Sequence, residues 1–167
     1  LAVKKSAAAF LKEFLVPGAN VVDIGCGFGT LLHLLKNEAS VHVTGVEVGN
    51  LDIKVAKEYY GLEVFRGTLE EFASPPERHA QFDLVILNHV LEHLPDPRES
   101  LAQVKKILRP NGLLYVGVPN IMNIKKRPEE FFQFFHPLNF SPHTLRTLLE
   151  TGGFGVVKFN VHAGLPG

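Results

Sequence analysis

Ala7, Phe10, Leu11, Phe14 and Leu15 recur at helical spacing before Pro17 and Gly18 break the pattern, which predicts an amphipathic opening helix. Val21, Val22 and Ile24 form a short apolar run ending at Gly25, read as a strand, and the leucine-rich stretch 30–36 reads as a buried helix behind a glycine turn. The β-branched stretch 41–48 predicts a second strand. Ile53, Val55, Ala56 and Tyr59 predict a helix closed by Gly61, and 62–65 a short third strand.

The run 82–87 is almost continuously apolar, as expected of a parallel strand buried on both faces, with Asp83 its one early interruption. Asp96 and Glu99 predict a capping box around Pro97, and Leu101, Val104, Ile107 and Leu108 are expected to supply the buried stripe of the helix that follows. A turn is expected at 109–112 and a fifth strand at 113–118. Ser141 and Pro142 start a helix through Leu145, Leu148 and Leu149 that ends at Gly152 and Gly153, and 154–161 predicts a sixth strand. Strands alternating with helices predict an α/β, doubly wound, mostly parallel sheet with helices on both faces, binding ligands at the carboxyl ends of its strands near the topological switch point. The stretch 120–140, with Phe131, Phe132, Phe134 and Phe135, is too apolar for a plain linker and reads as a short helix or a lid over a pocket, although these rings fit an ordinary core as well.

Composition narrows the function. The chain has 167 residues, 46% of them hydrophobic, so residues 1–167 are read as a single domain with a real core. Lys and Arg total 17, as do Asp and Glu, so no overall positive field gathers phosphate backbones and no nucleic-acid partner is expected. Cys26 is the only cysteine, no apolar stretch has bilayer-spanning length, and the start lacks the layout of a signal peptide; a cytoplasmic location is the expectation. The chain begins with Leu rather than Met, so it is read as truncated at one or both ends.

The stretch Asp23-Ile24-Gly25-Cys26-Gly27-Phe28-Gly29 joins the first strand to its helix, where glycines permit tight turning and let backbone N–H groups approach a carboxylate or phosphate. A dinucleotide fingerprint needs glycine at position 30, where Thr30 stands, so the spacing argues against NAD. A plain strand-to-helix turn would also use these glycines. Glu47 ends the second strand at the place where a carboxylate accepts hydrogen bonds from ribose hydroxyls, and a solvated surface carboxylate is the bland alternative.

These segments resemble class I S-adenosylmethionine-dependent methyltransferases. The loop 23–29 is similar to their D-x-G-x-G-x-G motif, and 82–97 looks like the fourth strand and following turn of the small-molecule group that includes the ubiquinone-biosynthesis O-methyltransferases. Leu108-Arg109-Pro110-Asn111-Gly112 is similar to that group's lead-in to the fifth strand; His136, then Phe140-Ser141-Pro142 and the helix after it, resemble its later segments. The resemblance implies a Rossmann-like fold, S-adenosylmethionine as cofactor with S-adenosylhomocysteine as product, and cofactor contacts from Asp23, Gly25, Cys26, Gly27, Gly29, Glu47, Val48, Thr68, Leu69 and Asn88. Two departures stand out: Gly67 is followed by Thr68 where the family has an aspartate that receives the adenine amino group, and only residues 162–167 follow Val161, so the family's final antiparallel strand is expected to be missing.

The acceptor is expected to be a small molecule or a lipid- or sugar-linked group, methylated at oxygen, and the runner-up is a methyltransferase-like module that binds without catalysis. His89, His93 and His136 are the candidate bases for a hydroxyl nucleophile. On a helix His89, Glu92 and His93 would share one face, a spacing suited to a base with its orienting carboxylate or to a divalent metal held by Glu92 and His93. A histidine packed beneath the cofactor loop is the structural alternative for His93. Asn88 ends the fourth strand near the expected methyl group, without the Pro-Pro-aromatic sequence of adenine and glutamine N-methyltransferases. Lys125, Lys126 and Arg127 would meet an anionic substrate or simply face solvent.

Overall fold

The computed structural model describes residues 2–122 and 137–161. Its elements are α1 (Ala2–Lys12), β1 (Asn20–Ile24), α2 (Thr30–Ala39), β2 (His42–Glu47), α3 (Asn50–Tyr60), β3 (Glu63–Arg66), α4 (Leu69–Ala73), β4 (Phe82–Asn88), α5 (Pro97–Ile107), β5 (Leu108–Gly117) and α6 (Pro142–Thr151). Five strands form one parallel sheet in the order β3-β2-β1-β4-β5. The order reverses between β1 and β4, so the loops leaving their carboxyl ends diverge and open a crevice.

Two apolar layers cover the sheet. Val21, Leu84 and Ile86 pack with Ala7, Leu11, Leu31 and Leu35 from α1 and α2. Val22, Ile24, Val85 and Leu87 pack on the other face with Leu69 and Phe72 of α4 and Val104 and Ile107 of α5. Alternation along the strands puts Asp23 and Asn88 on the first of these faces.

The strand and helix order agrees with the α/β expectation, and three local readings need correction. Residues 109–112 are not a free turn: Phe82 already pairs with Leu108, and the ladder resumes at Leu84 and Leu113 after a register shift. Arg109 fastens this irregular stretch by donating from Nη1 to both Asp83 oxygens at 2.8 and 2.7 Å, while Asn20 N–H donates to Asp83 Oδ2 at 2.7 Å. Burial would raise the Asp83 pKa, but these donors hold it below the usual carboxylate value. Residues 154–161 form no strand; Phe154 and Phe159 pack against the α4–α5 layer instead, and Lys158 pairs with Glu13 of the opening segment at 2.6 Å. The third correction is α4 itself, unexpected from the sequence and started by a reciprocal capping box between Thr68 and Glu71. On α3, Ile53 and Ala56 are buried as expected, but Tyr59 is 79% exposed.

No helix among the described residues is long and apolar enough to cross a membrane. The expected lid falls largely on residues 123–136, which lie outside the described residues together with His136, the phenylalanine cluster and the basic run. The ends of that stretch meet in a bridge between Asn120 and Phe140.

Candidate functional site

The turn from β1 to α2 depends on three glycines in the left-handed region, Gly25 (φ +66°), Gly27 (φ +56°) and Gly29 (φ +78°). Their surroundings differ. A Cβ on Gly25 would lie 2.6 Å from Val90 Cγ2, and one on Gly29 would meet the Leu62 side chain and Ala56, so these two glycines permit close packing within the protein. A Cβ on Gly27 would meet nothing within 4 Å, so this glycine faces open space. The amides of Gly25 and Cys26 donate to Val46 O and that of Gly29 to Cys26 O, which ties the turn to β2. Gly29 caps α2 with no side-chain oxygen, leaving the start of that helix suited to a ligand carboxylate.

Glu47 sits at the end of β2 across from this turn. Its Oε2 accepts the Gly27 N–H at 2.9 Å, and its Oε1 accepts the N–H groups of Val48 and Gly49 at 2.8 and 2.9 Å. A carboxylate has room for about four donors, so Glu47 retains acceptor capacity for a hydroxyl. Val48 beside it is 61% exposed and offers apolar surface at the same edge.

Asp23 lies beneath the turn, 1% exposed, and neither of its oxygens has a hydrogen-bond partner. Burial raises its pKa to about 7, the Lys4 charge opposing and the Glu47 charge adding to the shift. Tyr115, opposite Ile86 on β5, is raised in turn by burial and by the charge of Asp23. Asn88 is 4% exposed with its Nδ2 unpartnered; a Cβ on neighbouring Gly117 would come 2.7 Å from its Oδ1 and 3.3 Å from the Tyr115 hydroxyl, so glycine there makes room for both. A buried carboxylate without a donor suits a cationic group, and the open glycine and the ribose-type carboxylate stand beside it. The residues present fit S-adenosylmethionine, which carries an ammonium, a carboxylate and a ribose.

Just past β4, His89 adopts φ +60° and donates its backbone N–H to Gly117 O at 2.7 Å. Its Nδ1 lies 3.4 Å from Oε1 of Glu92, whose side chain is 2% exposed. Glu92 O accepts the Leu138 N–H at 3.3 Å, which brings the chain returning from 123–136 against this turn.

The other expected residues fall differently. The side chain of Cys26 is buried in the core, and its thiol pKa is pushed up to about 12 by burial and then by the charges of Asp23 and Glu47, so it contributes no reactive group. Thr68 is exposed while its hydroxyl and carbonyl accept the N–H groups of Glu71 and Phe72 at the start of α4, whereas the Leu69 side chain is 2% exposed in the core and withdrawn from a ligand. His89, Glu92 and His93 do not share a helix face, because only Leu91–His93 form a single 3₁₀ turn and His89 lies outside it. His93 is exposed rather than packed beneath the loop. Among the described residues no group of three His, Cys, Asp or Glu is placed to hold a metal ion. Lys4 and Tyr115 were not anticipated, since only strand register and helix packing bring them near Asp23.

Residues 2–158 match the family model described as a methyltransferase domain. The chain is 30% identical to the ubiquinone biosynthesis O-methyltransferase of Marinobacter nauticus over 86% of its own length and 68% of that protein's. It is 33% identical to the corresponding protein of Aromatoleum aromaticum, covering 86% and 69%. Among solved structures, a SAM-dependent methyltransferase from Archaeoglobus fulgidus superposes with a TM-score of 0.76 at 26% identity, over 93% of this chain and 71% of that one. Fold and matches together define an α/β transferase that uses S-adenosylmethionine. The chain belongs to the methyltransferase domain family and is a class I S-adenosylmethionine-dependent methyltransferase.

Proposed function

We propose that this enzyme methylates a hydroxyl oxygen on a small-molecule or lipid- or sugar-linked acceptor, working as a single cofactor-binding domain. One observation carries the placement of the reaction. Among the described residues, every buried side-chain polar atom without a hydrogen-bond partner belongs to Asp23, Asn88 or Glu92, all on β1, β4 or the turn after β4. Each such unmade bond costs about 1–3 kcal/mol, and the concentration of those on Asp23 and Asn88 at the switch point of the sheet fits ligands that complete them.

In this reading Glu47 accepts the ribose hydroxyls, Gly25 and Gly27 border the methionyl part, and the charge of Asp23 attracts its ammonium. Val48 lies against the base, and Asn88 offers its amide toward the reacting atoms. S-adenosylmethionine supplies a methyl group already activated on a sulfonium sulfur, so the chain's work is alignment, water exclusion and proton removal. Oxygen as the target is supported by the relatives named above, which are O-methyltransferases.

The test is turnover of methyl-labelled S-adenosylmethionine on matched pairs of phenols, sugar alcohols and amines. Label transferred to hydroxyls is the expected result; transfer to amines alone would overturn the oxygen assignment.

A further inference from the structure

We propose that His89 and Glu92 form a proton-accepting pair for the acceptor hydroxyl, with Glu92 holding the imidazole at Nδ1 and Nε2 turned toward the acceptor. The inference rests on the oxygen-methylation reading above and names the residues that remove the proton.

Glu92 is the less expected partner. Its side chain is 2% exposed, and neither oxygen makes a hydrogen bond. A carboxylate buried in this way is costly, and cores avoid it unless something is gained. The polar group facing it is the His89 ring, with Nδ1 3.4 Å from Oε1, longer than a good hydrogen bond and within ion-pair range. Catalytic hydrogen bonds are often this long before substrate is in place and tighten in the complex.

His89 is placed rather than merely present. A left-handed φ of +60° on a non-glycine residue is strained, and it is held there by the 2.7 Å bond from its N–H to Gly117 O on the neighbouring strand. The same turn is braced on its other side by the Leu138 N–H on Glu92 O. The ring is 49% exposed, so one edge faces the buried carboxylate and the rest is accessible.

The step balances without any further reactant. The acceptor O–H bond breaks and its electron pair forms the new O–C bond, the S–C pair stays on sulfur, and the proton moves to His89 Nε2. Nδ1–H remains on Glu92, which offsets the imidazolium charge, and the ring then returns its proton to water. His89 is the catalytic residue in this scheme and Glu92 a positioning residue.

The deciding readout is the tautomer of His89, observed by ¹⁵N NMR of histidine-labelled protein at a pH where the ring is neutral, with the signal assigned by its loss in His89→Gln. The parent should carry its proton on Nδ1, and Glu92→Leu should shift it to Nε2 with the melting temperature unchanged or raised. A purely structural Glu92 would lower the melting temperature and leave the tautomer alone. A parent ring protonated at Nε2 overturns the pair and needs no variant to fold. Calorimetry with S-adenosylhomocysteine on the same samples separates the two readings: absent binding to the parent defeats the cofactor assignment, while the tautomer judges the pair by itself.

Discussion

Glu47 Oε2 accepts the Gly27 N–H at 2.9 Å, so the carboxylate proposed to hold ribose also holds the glycine turn that borders the methionyl part. The two halves of the cofactor are therefore coupled through one side chain. Glu47→Ala should weaken 5′-methylthioadenosine, which lacks the amino-acid portion, and should weaken S-adenosylhomocysteine by a larger factor. Equal factors for both ligands would show that the turn is positioned without Glu47.

Gly27 and Gly29 should respond in opposite ways. Both have positive φ, which costs a substituted residue about 1–2 kcal/mol, but only a side chain at 27 enters open space. Gly27→Val should fold and lose S-adenosylhomocysteine binding. Gly29→Ala should lose stability by an additional 1–3 kcal/mol or so from overpacking against Leu62 and Ala56. Urea melts and calorimetry on the pair of variants separate the effects.

Asp23 makes binding and stability depend on pH in opposite directions. Its folded pKa of about 7 lies above the ordinary carboxylate value of 3.8, so between those values the unfolded chain releases a proton that the folded chain keeps. Its contribution to stability is complete below the lower value and is lost as pH rises through the upper one. Cofactor affinity should rise as pH passes through about 7, because an ionised Asp23 attracts the ammonium, with Lys4 helping ionisation and Glu47 opposing it. Asp23→Asn should raise the melting temperature at pH 8, weaken S-adenosylhomocysteine, and flatten the pH dependence of its dissociation constant. A parent whose affinity is flat from pH 6 to 8 would remove the ammonium role.

Asp83 is the control at the far end of β4. Its depressed pKa means that its contribution is present at neutral pH and is lost as pH falls through the depressed folded value. Asp83→Asn should lower the melting temperature at pH 7, less so in acid, and leave the S-adenosylhomocysteine dissociation constant within twofold. A large change in affinity would mean that the ligand lies elsewhere than at the carboxyl edge.

Local patterns made the sheet and the glycine turn readable, because a β-branched run or a glycine needing positive φ is specified by its own residue. The capping box at Thr68 and Glu71 was equally legible, but Thr68 was read toward adenine instead of toward a helix start. The turn after β4 was harder: the i, i+3, i+4 spacing reads as an α-helix, whereas only Leu91–His93 form a 3₁₀ turn and His89 lies before it with its N–H on Gly117 O. His89 and Glu92 nevertheless meet, through a different geometry from the one expected. The surroundings of Asp23 depend on register between strands and on where Lys4 of α1 docks, and no stretch of contiguous sequence carries that information.

The central claim is that S-adenosylmethionine binds between the glycine turn and Glu47. Calorimetric titration of S-adenosylhomocysteine into the parent and into folded Glu47→Ala tests it most directly. The account predicts saturable binding to the parent and a loss of roughly 1.5–3 kcal/mol in the variant, the range for hydrogen bonds to a charged group. An unchanged dissociation constant in a variant with the parent's melting curve would contradict it.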